Sequence, residues 1–232
     1  MPKKTIGISY SEANFQNYWN WFTGSNPQVE LMELSFLRNN TSDFEKCDGF
    51  VLTGGIDVVP ALYGGNSTYP NMPDAFLPER DEFEKRLYHF SQRHRLPLLG
   101  ICRGMQYINI LEGGKVLEDN GPEVHEVHKR GSADKIHQIE IEENSLLHAH
   151  TGLRTGEVNS AHHQAIDPAH LGHNLVPVAY SATVDRLIEA IEFKDKTGKA
   201  FMIGLQWHPE RMLSKESNPL SQKIKDAFLQ SL

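Results

Sequence analysis

The chain has 232 residues, 39% apolar and 23% charged, enough for a full α/β core; its formal charge of −7 leaves no basic face for a phosphate backbone. Nucleic acid is therefore excluded as a partner. No run of about 18 apolar residues offers a membrane span, and the opening residues lack the apolar core of a secretory signal, so the reading is a cytoplasmic protein with no membrane partner. Its two cysteines, Cys47 and Cys102, are too few for a disulfide scaffold or a thiolate metal cage.

In chain order, "TIGIS" (5–9) is a short, nearly continuous apolar run, as expected of a parallel strand buried on both faces. The stretch after it, from Ser9 to Glu30, carries Tyr10, Phe15, Trp19, Trp21 and Phe22 and is expected to line a pocket. "GFVLT" (49–53) and "PLLGIC" (97–102) repeat the strand pattern. Between them a helix is predicted over 81–95, with Phe83, Leu87 and Phe90 on one face, acids at its start, and Pro97 beyond its end. Strand, helix and parallel strand make a right-handed crossover, so the end of 97–102 lies on the sheet's carboxyl edge, where ligands bind.

A second helix leaves Arg103 with Met105, Ile108 and Leu111 on one face. "KIHQIEIEE", "LVPVAY", "RLIEAIEF" and "AFMIGLQW" are further strands, the last two joined as a hairpin by "KDKTGK". Asn218 caps a closing helix with Pro219 at its first position and Leu220, Ile224, Ala227 and Phe228 inward. No repeat or long linker interrupts this, so residues 1–232 are expected to form one catalytic domain.

Gly100-Ile101-Cys102-Arg103-Gly104 has the spacing of a nucleophile elbow, with cysteine in place of serine. At such a turn the sulfur faces the unpaired N–H groups of the next helix, whose dipole stabilises a thiolate. Alone, the cysteine is equally well a buried small residue. A partner tips the balance: "GLQWHPE" ends a strand at His208, and Pro209 separates it from Glu210, giving a proton acceptor and a group to orient it. Gly54-Gly55 ends a strand on the same edge. There the backbone can approach a ligand closely, and the amides of Gly55 and Arg103 are expected to form an oxyanion hole. Read alone, Gly54-Gly55 is also an ordinary turn.

The motifs "LTGGIDVVPALYGG", "RDEFE", "GICRGMQ", "VNSAHHQAI" and "IGLQWHPE", in that order, resemble the class I glutamine amidotransferase superfamily, and within it the gamma-glutamyl-gamma-aminobutyrate hydrolases. The resemblance implies a flavodoxin-like α/β three-layer sandwich with a mostly parallel central sheet, a nucleophile elbow and a small antiparallel hairpin region. It implies Cys102, His208 and Glu210 as triad, and the backbone of Gly55 and Arg103 as oxyanion donors. It further suggests that Gln106 and the segment from Ser160 to His163, with His162 between, contact the α-amino and α-carboxylate ends of a glutamyl group. Two departures stand out: Asp185-Arg186 where many relatives have Asp-Gly, and "LEDN" where they have a Leu-x-Gln-Asp turn.

The expected activity is hydrolysis of a small γ-glutamyl amide through a thioester, with no metal or organic cofactor; the expected partners are that substrate and, compatibly, a second copy in a homodimer. A glutaminase subunit supplying ammonia to a synthetase, and a binding protein without turnover, are the alternatives. The remaining motifs have plainer readings. "HEVH" (125–128) is one residue short of a metalloprotease pattern and, with "HAH" (148–150), is read as solvated loop. His162 and His163 also suit simple packing. Cys47 is expected to be buried and inert. The Arg103 side chain is expected to reach Asp81 or Glu84.

Overall fold

The computed structural model describes residues 3–23, 28–129, 131 and 133–232. The apolar runs form the middle of its sheet: β1 (Lys4–Ser9), β3 (Gly49–Leu52), β4 (Leu98–Ile101) and β11 (Met202–Leu205). Every residue of β3, β4 and β11 is buried, which is why these strands read as unbroken apolar stretches rather than alternating ones. Together with β2 (Val29–Leu34) they make a parallel half of the sheet in the order β2-β1-β3-β4-β11.

The register is level at the carboxyl edge: Leu52 pairs with Gly100, Gly100 with Gly204, and Ile101 with Leu205. Three strands therefore end side by side, and the segments leaving β3, β4 and β11 meet at one rim.

Helices cover both faces. α1 (Phe15–Phe22) and α6 (Pro219–Ser231) pack with Val51, Leu99, Ile101, Ile203 and Leu205, whereas α2 (Pro78–His94) and α3 (Arg103–Leu111) pack with Phe50, Leu52, Leu98 and Met202. Adjacent residues of one strand feed opposite cores because strand side chains alternate. α6 begins as read: Asn218 accepts Leu220 N, Pro219 follows, and Leu220, Ile224, Ala227 and Phe228 are buried.

Beyond β11 the same sheet continues antiparallel through β10 (Ile188–Phe193), β9 (Leu175–Ser181), β6 (Lys135–Ile141) and β7 (Thr155–Ser160). The hairpin of β10 and β11 is present, but it opens a four-stranded extension rather than a small appendage. A ribbon of β5 (Val116–Leu117) and β8 (Ala165–Ile166) lies apart. No helix among the described residues is long and apolar enough to cross a membrane.

Three expectations change. The aromatic stretch after β1 forms α1, with residues 24–27 outside the described residues; Trp21 Nε1 donates to Ser221 Oγ at 3.0 Å and Phe22 packs on Phe228, so both lie under α6 rather than in a pocket. "HEVH" is not a solvated loop: it lies in α4 (Pro122–His128), and His128 is fully buried. "HAH" lies in α5 (Leu146–Thr151), where Ser145 caps the helix and His150 is exposed. Arg186 keeps a left-handed φ of 45°, a conformation that favours glycine.

Candidate active site

β4 delivers Cys102 to the rim and α3 leaves from it. Cys102 holds φ 53° and ψ −109°, a strained conformation fixed from behind by Cys102 N donating to Leu205 O at 2.6 Å. A Cβ on Gly104 would stand 2.2 Å from Leu52 O, and one on Gly100 3.0 Å from the Gly104 backbone. The flanking glycines are therefore what lets α3 press onto β3 and β4 behind the sulfur.

His208 lies three residues beyond β11. Pro209 starts a tight turn, Pro209–Arg211, that folds Glu210 back so that its Oε1 lies 2.8 Å from His208 Nδ1, both groups buried. The backbone N of His208 donates to Asn159 Oδ1 at 3.1 Å. Burial alone would push the imidazole down, but the charge of Glu210 and then that of Cys102 raise it to about 9. Cys102 and His208 meet at Gly54, where a Cβ would stand 3.0 Å from His208 Cε1 and 3.4 Å from Cys102 Cβ, so the two side chains share one corner of the rim.

The Gly54-Gly55 turn faces them. Gly54 N donates to Tyr18 Oη at 3.0 Å, while Gly55, at φ 135°, has the backbone only glycine adopts readily. Neither Gly55 N nor Arg103 N, at the open start of α3, donates to a backbone or side-chain acceptor among the described residues. Two amides expected to hold an oxyanion are thus unengaged beside the sulfur.

Beneath lies a buried ion network. Arg103 forks onto Asp81 Oδ1 and Glu84 Oε2, meeting both carboxylates considered for it. Arg80 joins Glu84 at 3.0 Å and donates to Thr53 O and Gly54 O at 3.1 and 2.9 Å, so it props the turn that carries Gly55. Burial pushes Asp81 up, whereas at Glu84 the two guanidiniums outweigh burial and hold the carboxyl low.

The other side chains assigned from the resemblance go to separate places. Gln106 donates to Gln164 O and to Gln206 Oε1, each at 3.1 Å, and Gln206 Nε2 points at Cys102 Sγ from 3.6 Å. Ser160 and His162 are buried against His128 and Glu189. His163, partly exposed, lies between Asp57 and Asp119; burial lowers its imidazole, but the two carboxylates outweigh that and raise it. Cys47 is buried and pushed up to about 12 by desolvation, then Asp43 and Asp48, consistent with an inert thiol.

The Peptidase C26 family model matches residues 38–210, most of the chain and all five rim residues Gly54, Gly55, Cys102, His208 and Glu210. The chain belongs to the Peptidase C26 family. It is similar to Protein NtpR of Enterococcus hirae, 33% identical over 205 residues, which cover 86% of this chain and 81% of that one. It is also similar to the gamma-glutamyl-gamma-aminobutyrate hydrolase of Escherichia coli O157:H7, 32% identical over 178 residues, covering 71% of this chain and 65% of that one. Among solved structures, a glutamine amidotransferase from Thermotoga maritima superposes with a TM-score of 0.62 at 15% identity, covering 99% of this chain and 86% of that one, a likeness of fold.

In this Peptidase C26 chain, Tyr18, Arg80, Asn159 and Gln206 support the rim without having been singled out from the sequence. Three of them lie inside quoted motifs: Arg80 in "RDEFE", Asn159 in "VNSAHHQAI" and Gln206 in "IGLQWHPE". Tyr18 had no such signal. It sits among the aromatics of α1, and nothing local marks it apart from Trp19 or Trp21.

Proposed function

We propose that this protein hydrolyses the γ-glutamyl amide bond of a small γ-glutamyl compound, releasing glutamate and an amine. The observation that carries the reading is Cys102 on a strained strand-to-helix turn beside His208, whose Nδ1 is held by Glu210. Cys102 thiolate attacks the side-chain carbonyl carbon, and the developing oxyanion is met by the Gly55 and Arg103 amides. The C–N bond breaks as protonated His208 gives its proton to the departing amine. Water, losing a proton to His208, then attacks the thioester; glutamate leaves and the thiol is regenerated. Glu210 keeps the imidazole in the orientation and tautomer both steps need. Similarity to a gamma-glutamyl-gamma-aminobutyrate hydrolase supports the glutamyl half of the substrate. Of the side chains assigned to the glutamyl ends, His163 is the one partly open to solvent and suits a direct contact.

The test is a panel of γ-glutamyl amides with wild type and Cys102→Ala, alongside peptide mapping after treatment with a glutamine-like chloroketone. Wild type should turn over at least one amide and carry the label on Cys102; the variant should do neither. A variant as active as wild type ends this mechanism, and turnover only upon adding a second protein points to an ammonia-supplying subunit instead.

A further inference from the structure

Away from Cys102, the antiparallel half of the sheet encloses a cluster that the hydrolysis does not use. His128 from the end of α4, His137 from β6 and Glu189 from β10 offer ligand atoms that all lie within 4.8 Å of one another, and all three are buried. His137 Nε2 is 3.1 Å, His128 Nδ1 3.7 Å and His162 Nε2 3.8 Å from Glu189 Oε1. Around a zinc ion with bonds of about 2.0–2.1 Å, tetrahedral donor atoms stand about 3.3 Å apart, close to the three distances to Glu189, while the histidine nitrogens, His162 Nε2 the farthest out, would draw inward onto the ion.

The hydrogen bonding has the same bias. Both oxygens of Glu189, both ring nitrogens of His137 and Nε2 of His162 are buried without a properly aligned hydrogen-bond partner. That many unmet polar atoms in one pocket is unusual in a folded core. At His162 and His128, in contrast, the outer nitrogen is engaged. His162 Nδ1 faces Gln164 O at 2.8 Å, and His128 Nε2 faces Asp185 Oδ2 at 3.2 Å. A proton on each of these outer nitrogens leaves His162 Nε2 and His128 Nδ1 as lone pairs directed inward, the arrangement by which outer-shell acceptors orient metal-bound imidazoles. Ser160 Oγ gives its one proton to His128 O and lies 3.3 Å from His128 Nδ1, so without an ion it accepts from Nδ1 in one tautomer, and ion binding selects the other.

We infer that His128, His137, Glu189 and His162 bind one divalent transition-metal ion of the zinc type in a closed tetrahedral site. Imidazole and carboxylate donors fit that class, and four protein ligands leave no position for substrate, which marks the site as structural. The sequence expectation of no metal rested on too few cysteines for a thiolate cage and on "HEVH" read as solvated loop; here the ligands are histidines and a glutamate, and His128 of that motif is buried. The ion joins α4, β6, β10 and the segment after β7. That segment continues through Gln164 O to Gln106 and Gln206, so the ion braces the scaffold that leads to Cys102.

The experiment uses the full-length protein stripped with a chelator, then titrated with zinc or cobalt(II) and assayed by metal analysis, visible absorption and thermal unfolding. Expected are one zinc per chain, a higher Tm with zinc, and the intense visible bands of tetrahedral cobalt. Glu189→Gln and His137→Ala should abolish stoichiometric binding, while His125→Ala, outside the cluster, should keep it. Since burial makes the first two liable to misfold, His162→Gln serves as the milder change and should weaken zinc affinity by roughly 10–100-fold or more. Wild type that takes up no stoichiometric zinc, cobalt spectra of octahedral type, or zinc affinity unmoved by His162→Gln would overturn the proposal.

Discussion

Tyr18 Oη lies 3.4 Å from His208 Nδ1 across 190 positions of chain, and the same oxygen accepts the backbone N–H of Gly54 at 3.0 Å. One hydroxyl thereby ties the imidazole to the turn that carries Gly55. Removing it strands a buried N–H, at a cost of about 1–3 kcal/mol. Tyr18→Phe should therefore unfold at lower urea and hydrolyse γ-glutamyl amides about tenfold more slowly with KM little changed. Urea melts and steady-state kinetics check both; wild-type values in the two would show that the hydroxyl does nothing here.

Glu210 makes His208 a pH-dependent part of the fold. The imidazole sits at about 9 against an ordinary 6.5, since Glu210 and Cys102 outweigh the downward pull of burial. A group raised on folding stabilises fully below its unfolded value and loses that contribution as pH rises through the folded one. Wild type should thus lose stability between about pH 7 and 9, and Glu210→Gln should flatten that slope while cutting kcat by roughly 10²–10⁴. Urea unfolding across pH reads the sign directly; stability that climbs over this range contradicts it.

Arg103 contributes more through its side chain than a surface cation would. Its guanidinium is the partner of Asp81 and Glu84, and all three are buried. From the sequence, Arg103→Met is expected to keep the fold and lose turnover. The geometry adds a stability loss of about 3–5 kcal/mol, because two carboxylates remain enclosed with only Arg80 nearby. Denaturant midpoints measure it; a change under about 1 kcal/mol would mean that water reaches the pair.

Gly104 has the least room in the site, with Leu52 O 2.2 Å from where a Cβ would stand. The obstacle is strand backbone, which cannot swing aside as a side chain can. Gly104→Ala should push α3 off β3, destabilise by about 1–3 kcal/mol or more, and displace Cys102 from His208. Slow labelling of Cys102 by the chloroketone, together with a lowered Tm, is the expected result; normal labelling would place the tolerance of α3 higher than the packing allows.

Elements were legible in the sequence where burial is total or local chemistry is strong. β1, β3 and β4 are apolar on both faces, and α6 carries its cap, its proline and its inward stripe in consecutive residues. β2 escaped notice because "VELMEL" lies at the sheet edge, half-buried, with Glu30 and Glu33 in its run. α1 divides, with Tyr18 at the rim and Trp21 and Phe22 against α6, and sequence does not separate them because an aromatic residue looks the same whether it faces a site or another helix. Arg186 holds a positive φ that its residue type does not announce. Its ion pair with Glu140 and its stacking on Tyr180 hold an arginine where the backbone alone would prefer none.

The sequence by itself determined the elbow, because glycine spacing around a cysteine reflects local sterics, and it determined which histidine and glutamate share a turn. Only the tertiary structure decided what those groups touch. Tyr18, Arg80 and Gln206 reach the rim from α1, α2 and the end of β11, and three histidines converge on Glu189 from three separate segments. A side chain's chemistry is written in its own residue, but its burial and its partners are set by chain segments tens to hundreds of positions away.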